Sequence, residues 1–433
     1  MLKRKIYLVF LSVTIFFLFT SCDFLLNLFK TENPEYEIGK FEDINIFDKS
    51  NLSEENSFVT GYSITGDNEY LYAATTGKKK CPGKIVKVSK NGEEILIKEL
   101  QEEALKKNYD NAHAYWLDSI NYYKNKLLII SFPKLLQFEN GEFEIYCVNP
   151  DDLTVDWRWT PDENGMIEIF KAGDRTIAFW KDYYLIFYAC EKTEGFYIAL
   201  LDSKGNQILK RYTDHSCPTE DGDICIVNDK LLLHQYSNPL VVYDLNKLTD
   251  DTYDFDDCID YSFDTGSANI YSNIVFDGEN CYFCYWDKIN SSYNELFVDA
   301  VSLTDYRILW TYRLSDKFFN GVNSIALNNG HLFLAADAGC VYNIDTSSGK
   351  LTWKKEITTR ENFRNLLNEG VFYKNYFVLP CSDDYLYYFD MRTGEVKGKK
   401  CIPFVSRTRC MYVEGEYLYI ATGSYIVKLK LLE

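Results

Sequence analysis

Four histidines, 13 cysteines and 64 aspartates and glutamates are the side chains through which this 433-residue chain could do chemistry, and their spacing decides which chemistry is open to them. Histidine titrates near neutral pH and ligates metals, so it comes first. His113, His215, His234 and His331 lie far apart, and no His-Glu-x-x-His pair holds two of them on one helix face, so a zinc-peptidase site is not supported. His113 and His215 stand near Asp110 and Asp214 in loop-like sequence. A hydrolase would complete such a base–orienter pair with a Gly-x-Ser-x-Gly turn, which is missing. His234 falls in a strand pattern and His331 at the opening of one, where a structural role is expected. No Gly-x-x-x-x-Gly-Lys phosphate loop occurs, and no spacing among the acids singles out a carboxylate pair for glycoside hydrolysis.

Asp250, Asp251, Asp254, Asp256, Asp257 and Asp260 form the densest acidic series. A calcium loop of the EF-hand kind starting at Asp254 requires glycine at its sixth place, where Ile259 stands, so a solvated acidic loop is expected. Cys281 and Cys284 make the one Cys-x-x-Cys. Residues three apart on a strand point to opposite faces and cannot chelate one ion together, and a redox pair belongs at a helix start, which CYFCYW does not resemble. Cys147, Cys190, Cys225 and Cys340 sit inside apolar runs and read as small buried hydrophobes. No catalytic, cofactor-binding or metal-ligating residues are therefore assigned.

The elements that carry these residues are strands. Hydrophobic residues at 46% and charged residues at 25% specify a folded chain, and 35 Tyr with 29 Phe favour β structure. The unit Asn323–Ile357 contains four short strand patterns, at Ser324–Leu327, His331–Ala336, Cys340–Ile344 and Leu351–Ile357, separated by turn residues at Gly330, Asp337–Gly339 and Asp345–Gly349. Its second strand recurs at Leu71, Leu127, Tyr184, Leu231, Cys281, Leu332, Tyr376 and Tyr417, a mean spacing of about 49 residues that fits a four-stranded propeller blade rather than a helical repeat. Trp157, Trp310 and Trp353 each stand eight residues after a turn-opening position (Asn149, Ser302 and Asp345), which predicts inter-blade packing for these rings. The last unit supplies only three strands. A fourth from Tyr36–Phe47 is expected to close the ring, because an open propeller edge invites aggregation. Insertions are expected near 101–118, 154–175, 211–222 and 245–270. The fold class is all-β: an eight-bladed propeller of four-stranded antiparallel blades closed by an N-terminal strand, with residues 36–433 as a single domain.

The segments CVYNIDTSSGKLTW and YLYYFDMRTGEVKG resemble the repeat of quinoprotein-like (pyrroloquinoline-quinone-type) propellers, in which an apolar strand runs into Asp-x-x-Thr-Gly and then a Trp. Asp345, Gly349 and Trp353 match with one extra turn residue; Asp390, Thr393 and Gly394 match without the Trp. Quinoprotein dehydrogenases of this repeat carry a vicinal disulfide against their cofactor, and no two cysteines are adjacent here, so no cofactor is expected.

The N-terminus reads as an address. Lys3, Arg4 and Lys5 precede an apolar run from Ile6 to Phe19 that is too short to span a bilayer, so residues 1–21 form a secretory signal. Its end, Leu18-Phe19-Thr20-Ser21-Cys22, resembles a relaxed bacterial lipobox. The resemblance implies that Cys22 becomes the lipidated first residue, with multiple acyl chains anchoring the protein and residues 22–35 acting as a tether. The expected location is the cell envelope, on the periplasmic or surface side of a bacterial membrane. The net charge of −18 disfavours nucleic acid and broad adsorption to anionic lipid. Repeat and anchor together resemble the BamB-type lipoproteins of the outer-membrane β-barrel assembly machinery. That resemblance implies a non-catalytic scaffold with a monomeric body, partnered by envelope proteins or peptides. The alternative is a ligand-binding or enzymatic propeller acting on glycans or alcohols through its central channel.

Overall fold

The computed structural model describes residues 40–48, 58–76, 84–99, 115–133, 144–161, 167–169, 177–190, 195–213, 224–233, 240–263, 269–270, 274–290, 293–314, 322–336, 339–357, 370–381, 383–402, 410–421 and 425–432. Eight antiparallel blades follow one another along the chain. From inner to outer strand, blade 1 is Phe58–Gly66, Tyr70–Thr76, Lys84–Ser89 and Ile95–Glu99, and blade 2 is Tyr115–Tyr123, Lys126–Pro133, Glu144–Val148 and Val155–Trp159. Blade 3 has a split inner strand (Ile167–Ile169 and Ile177–Trp180), then Tyr183–Cys190, Phe196–Leu201 and Gln207–Thr213. Blade 4 is Ile224–Val227, Lys230–Leu233, Leu240–Asp244 and Ile259–Phe263. Blade 5 again splits its inner strand (Asn269–Ile270 and Val275–Phe276), followed by Asn280–Asn290, Tyr293–Ser302 and Ile308–Leu314. Blade 6 is Val322–Asn328, His331–Ala336, Cys340–Asp345 and Leu351–Glu356; blade 7 is Val371–Tyr373, Tyr376–Pro380, Tyr385–Asp390 and Val396–Cys401.

Blade 8 takes Cys410–Glu414, Tyr417–Ala421 and Tyr425–Leu432 from the end of the chain, and its outer strand is Lys40–Asp48. That strand pairs antiparallel with Tyr425–Leu432, Lys40 opposite Leu432 and Asp48 opposite Tyr425. The expected closing strand is present, at Lys40–Asp48. The expected insertions are narrower than the sequence implied. Val155–Trp159 and Ile259–Phe263 are the outer strands of blades 2 and 4, and Gln207–Thr213 runs into the third of the four stretches. Mixed polar and charged residues hide these strands because an outer strand buries only part of one face.

The middle strands of each blade are apolar without alternation because neighbouring blades bury both of their faces. In blade 6, Leu332, Leu334 and Ala336 pack with blade 5, while Phe333 and Ala335 pack with blade 7. Eight such clusters occur, one at every junction from blades 1 and 2 round to blades 8 and 1. A ring is the arrangement in which every blade has two neighbours.

Each junction also carries a directional clasp, a side-chain donor of one blade reaching a turn carbonyl of the next. Lys87 Nζ donates to Pro150 O (2.8 Å), Trp157 Nε1 to Ser203 O (3.1 Å), and Arg211 Nη1 to Tyr253 O (2.6 Å). Asn228 Nδ2 donates to Gly278 O (3.2 Å), Trp310 Nε1 to Thr346 O (2.7 Å) and Trp353 Nε1 to Met391 O (2.9 Å). Tyr373 Oη donates to Glu416 O (2.6 Å), and Lys428 Nζ to Lys90 O (3.0 Å) completes the circuit.

The three tryptophans do what their spacing predicted. Each lies on a turn glycine of the following blade: a Cβ on Gly205, Gly349 or Gly394 would stand 2.5–2.6 Å from ring atoms of Trp157, Trp310 or Trp353. These glycines hold φ of +80, +66 and +71°, which only glycine adopts without strain. Blade 7 has Gly398 at the tryptophan register, and the reason is topological. Its neighbour's outer strand comes from the other end of the chain, so blade 8 offers no outer turn on which a ring could rest.

Candidate functional site

Since the blade faces are consumed in packing, the ring's working surfaces are its outer rim and its strand ends. The best described end carries the turns between the first and second, and the third and fourth, strands of each blade. Aspartates build these turns by accepting local backbone N–H groups. Asp345 Oδ1 accepts from Ser348 N (2.9 Å), Asp390 Oδ1 from Thr393 N (2.8 Å) and Asp202 Oδ1 from Lys204 N (2.8 Å). The Ser348 and Ser347 hydroxyls hold the Asp345 carboxyl below the usual carboxylate range. Asp67 and Asp277 repeat one design in blades 1 and 5: each accepts a phenol O–H hydrogen bond at 2.6 Å, from Tyr72 and Tyr282. Burial would raise both carboxyls, but these phenols and two backbone N–H groups outweigh it and lower them; the Tyr282 phenol is pushed up to about 12, chiefly by burial.

Blade 4 departs from this pattern. Its third and fourth strands are joined by a helical turn, Leu245–Leu248, and a 3-10 turn, Asp256–Cys258. The Asp244 side chain caps the helical turn by accepting from Asn246 N (2.9 Å), and Leu245, Leu248 and Cys258 anchor the crossing in the cluster shared with blade 3. Arg211 of blade 3 grips the Asp250 and Tyr253 carbonyls. Asp260 is not free for a ligand, since it pairs with Lys230 and Lys247. Asp250, Asp251, Asp254, Asp256 and Asp257 are exposed, as a solvated acidic loop requires. Among the described residues, no group of three or more His, Cys, Asp or Glu side chains is placed to hold a metal ion.

The other singled-out residues are dispersed. Cys281 packs in the cluster between blades 4 and 5, and Cys284 in that between blades 5 and 6, so the Cys-x-x-Cys pair does point to opposite faces. Burial pushes the Cys281 thiol up to about 12, and Cys147, Cys225 and Cys340 are also buried. His331 Nδ1 lies 2.9 Å from Asn343 Oδ1; Asn343 Nδ2 donates to Met391 O, the carbonyl that also receives Trp353. That histidine is part of the joint between blades 6 and 7. His113, His215, His234 and Cys22, with the signal and tether, lie outside the described residues.

Sequence reading missed Asp299, fully buried in the third strand of blade 5, with neither carboxylate oxygen in hydrogen-bond geometry with a described donor. Burial raises its pKa, and the Thr311 and Tyr285 hydroxyls pull the other way without reversing it. The sole sequence signal is a charge interrupting the apolar run LFVDAV.

These features define an eight-bladed β-propeller whose blades are joined by one-directional clasps, three of them tryptophan on glycine. No family model matches the sequence. The chain is 31% identical over 108 residues to the outer membrane protein assembly factor BamB of Shewanella oneidensis, and the matching stretch covers 25% of this chain and 25% of that protein. Among solved structures, BamB from Moraxella catarrhalis superposes with a TM-score of 0.54 at 9% identity, over 87% of this chain and 98% of that one. The computationally designed Ika8 protein superposes with a TM-score of 0.56 at 10% identity, over 88% and 97%. The chain is thus a propeller similar to the BamB-like, quinoprotein-type repeat proteins, and at these identities the structural likeness is one of fold.

Proposed function

We propose that the protein is a non-catalytic scaffold at the cell envelope, held to a bacterial membrane by lipid on Cys22, that gathers other envelope proteins or peptides around a rigid ring. The observation that carries this reading is the use of side chains. Both faces of the blades are spent on eight apolar junctions and eight clasps, which leaves a stiff body with its strand ends and rim for display. The sequence match to a protein named as an assembly factor supports the same role. The ring body acts as a monomer, without metal, cofactor or nucleic acid.

Two measurements test this. Mass analysis of the N-terminal peptide of the protein from its own membranes should find Cys22 as the first residue, carrying acyl chains, and Cys22→Ala should release the protein from the membrane. Affinity purification of the full chain from crosslinked membranes should recover an envelope protein at stoichiometric level. Recovery of the chain alone, whatever the crosslinker length, overturns the scaffold reading.

A further inference from the structure

In a chain of net charge −18, the outer strands of blades 6 and 7 are an exception. Leu351–Glu356 (LTWKKE) and Val396–Cys401 (VKGKKC) carry Lys354, Lys355, Lys397, Lys399 and Lys400 against one acid, Glu356. The outer strands of blades 1 and 2 are charge-balanced, and those of blades 4 and 8 carry more acid than base. In blade 3 Lys210 lies over the Tyr197 ring and Arg211 is turned onto the blade 4 crossing, and in blade 5 Arg313 is paired with Glu295. Lys354, Lys355 and Lys397 are exposed and Lys399 and Lys400 half-buried. Lys397 also meets Glu395, and Lys399 Nζ lies over Tyr385, 4.4 Å from the ring centre.

We infer that this edge of the ring rests on anionic lipid headgroups, so that the anchored propeller stands on the membrane in one orientation, with blades 6 and 7 towards the bilayer. The inference rests on the anchor proposed above. Three observations select a lipid surface as the occupant. The positive charge is spread over two adjacent rim strands. All five cations are lysines, mobile point charges that suit a fluid array of phosphates, where a defined carboxylate or phosphate site favours the arginine fork. The leash to Cys22 also starts next door: Lys40 begins the outer strand of blade 8, which packs on blade 7. The 18 residues from Cys22 to Lys40 reach roughly 60 Å when extended, long enough for the rim to meet the headgroups.

The test reconstitutes the full lipidated chain on vesicles of neutral lipid and on vesicles containing phosphatidylglycerol, and measures acylation of each lysine by a water-soluble reagent. Flotation with neutral vesicles reads the anchor alone. On anionic vesicles the five rim lysines should react about fivefold more slowly than on neutral ones, while Lys124, Lys126 and Lys204 on the far side of the ring keep their rate; raised salt should remove the difference. Lys397→Glu with Lys399→Glu and Lys400→Glu should abolish protection of Lys354 and Lys355 without loss of flotation. An unchanged melting temperature confirms that this variant folds, and the milder pair Lys354→Gln and Lys355→Gln should weaken protection of the other three. Equal rates on both vesicles overturn the inference even when the anchor holds. Should the chain fail to float on neutral vesicles, the anchor reading falls; salt-sensitive binding to anionic vesicles through these lysines then still supports the edge, and no binding overturns it. Protection that persists without vesicles through a copurifying acidic protein also overturns it.

Discussion

The junction between blades 5 and 6 and the junction between blades 8 and 1 perform one mechanical task with different chemistry. The first joins blades that are continuous in sequence. Fourteen buried residues form its cluster, and Trp310 lies flat on Gly349 while its indole N–H meets Thr346 O. The second joins the two ends of the chain around a cluster that holds, among the described residues, seven buried ones. Its fasteners are lysines: Lys90 meets Glu414 and the Asp67 carbonyl, and Lys428 donates to Lys90 O while lying 3.9 Å from the centre of the Tyr417 ring. A junction rich in buried apolar surface tolerates a rigid ring-on-backbone contact. The closing junction adds charge-assisted bonds, which are sensitive to partner loss.

Breaking the first kind of joint should cost most. Gly349→Ala forces a Cβ into the Trp310 ring at a positive φ and should destabilise by about 3 kcal/mol in urea unfolding. Trp310→Ala in the same chain should make the second change cheaper, so the double-mutant cycle reads their coupling. The junction between blades 4 and 5 sharpens the rule. There Tyr261 stacks on Tyr306 at 5.0 Å, and Tyr306 holds φ +57° where blades 3, 6 and 7 have glycine. Tyr261→Trp alone should cost about 2 kcal/mol by overpacking, and Tyr306→Gly added to it should restore most of the loss. At the closing junction, Glu414→Gln leaves the Lys90 side chain, 11% exposed, without its anion and should cost about 1.5 kcal/mol, measured as a lower melting temperature.

The smallest expected effect has the opposite sign. The Asp299 pKa is raised above 3.8 in the fold, so as pH rises the unfolded chain releases this proton first. The stability that Asp299 supplies below pH 3.8 is lost on the way up through its folded value, and at neutral pH it detracts. Asp299→Asn should raise the melting temperature by about one degree at pH 7 and leave it nearly unchanged at pH 3. An equal effect at both would mean that the residue acts through packing alone.

How far the fold can be read ahead follows from what each strand buries. The second strands, such as LFLAA at Leu332 and YFVLP at Tyr376, are enclosed on both sides and announce themselves as unbroken apolar runs. The outer strands show one large ring among charges: LTWKKE is legible as a strand, whereas VDWRW and IDYSF fall within stretches expected to be insertions. Trp157, Trp310 and Trp353 were legible because one physical task fixes one register. The other clasp donors were not, since lysine, arginine, asparagine and tyrosine do the same task from unequal positions. Nor was a shared bulge, an extra residue in the outer strand just after the outer turn in blades 2 to 7, because backbone pairing leaves no residue signature. Of the candidate site, the opposed faces of Cys281 and Cys284 and the solvated acidic loop were readable from period and composition. Asp299 was not, because burial depends on contacts between blades.

The uniform sense of the clasps has a consequence for the chain itself. The bond from Lys428 to Lys90 points the same way round as the other seven, and Lys40 lies directly opposite Leu432, where the other blades have their outer turn. The ring therefore has no privileged first blade. A circular permutant, with a few residues bridging Leu432 to Lys40 and new termini cut between two other blades, should fold to the same circle, leaving the position of the break to be dictated by where the leash must attach.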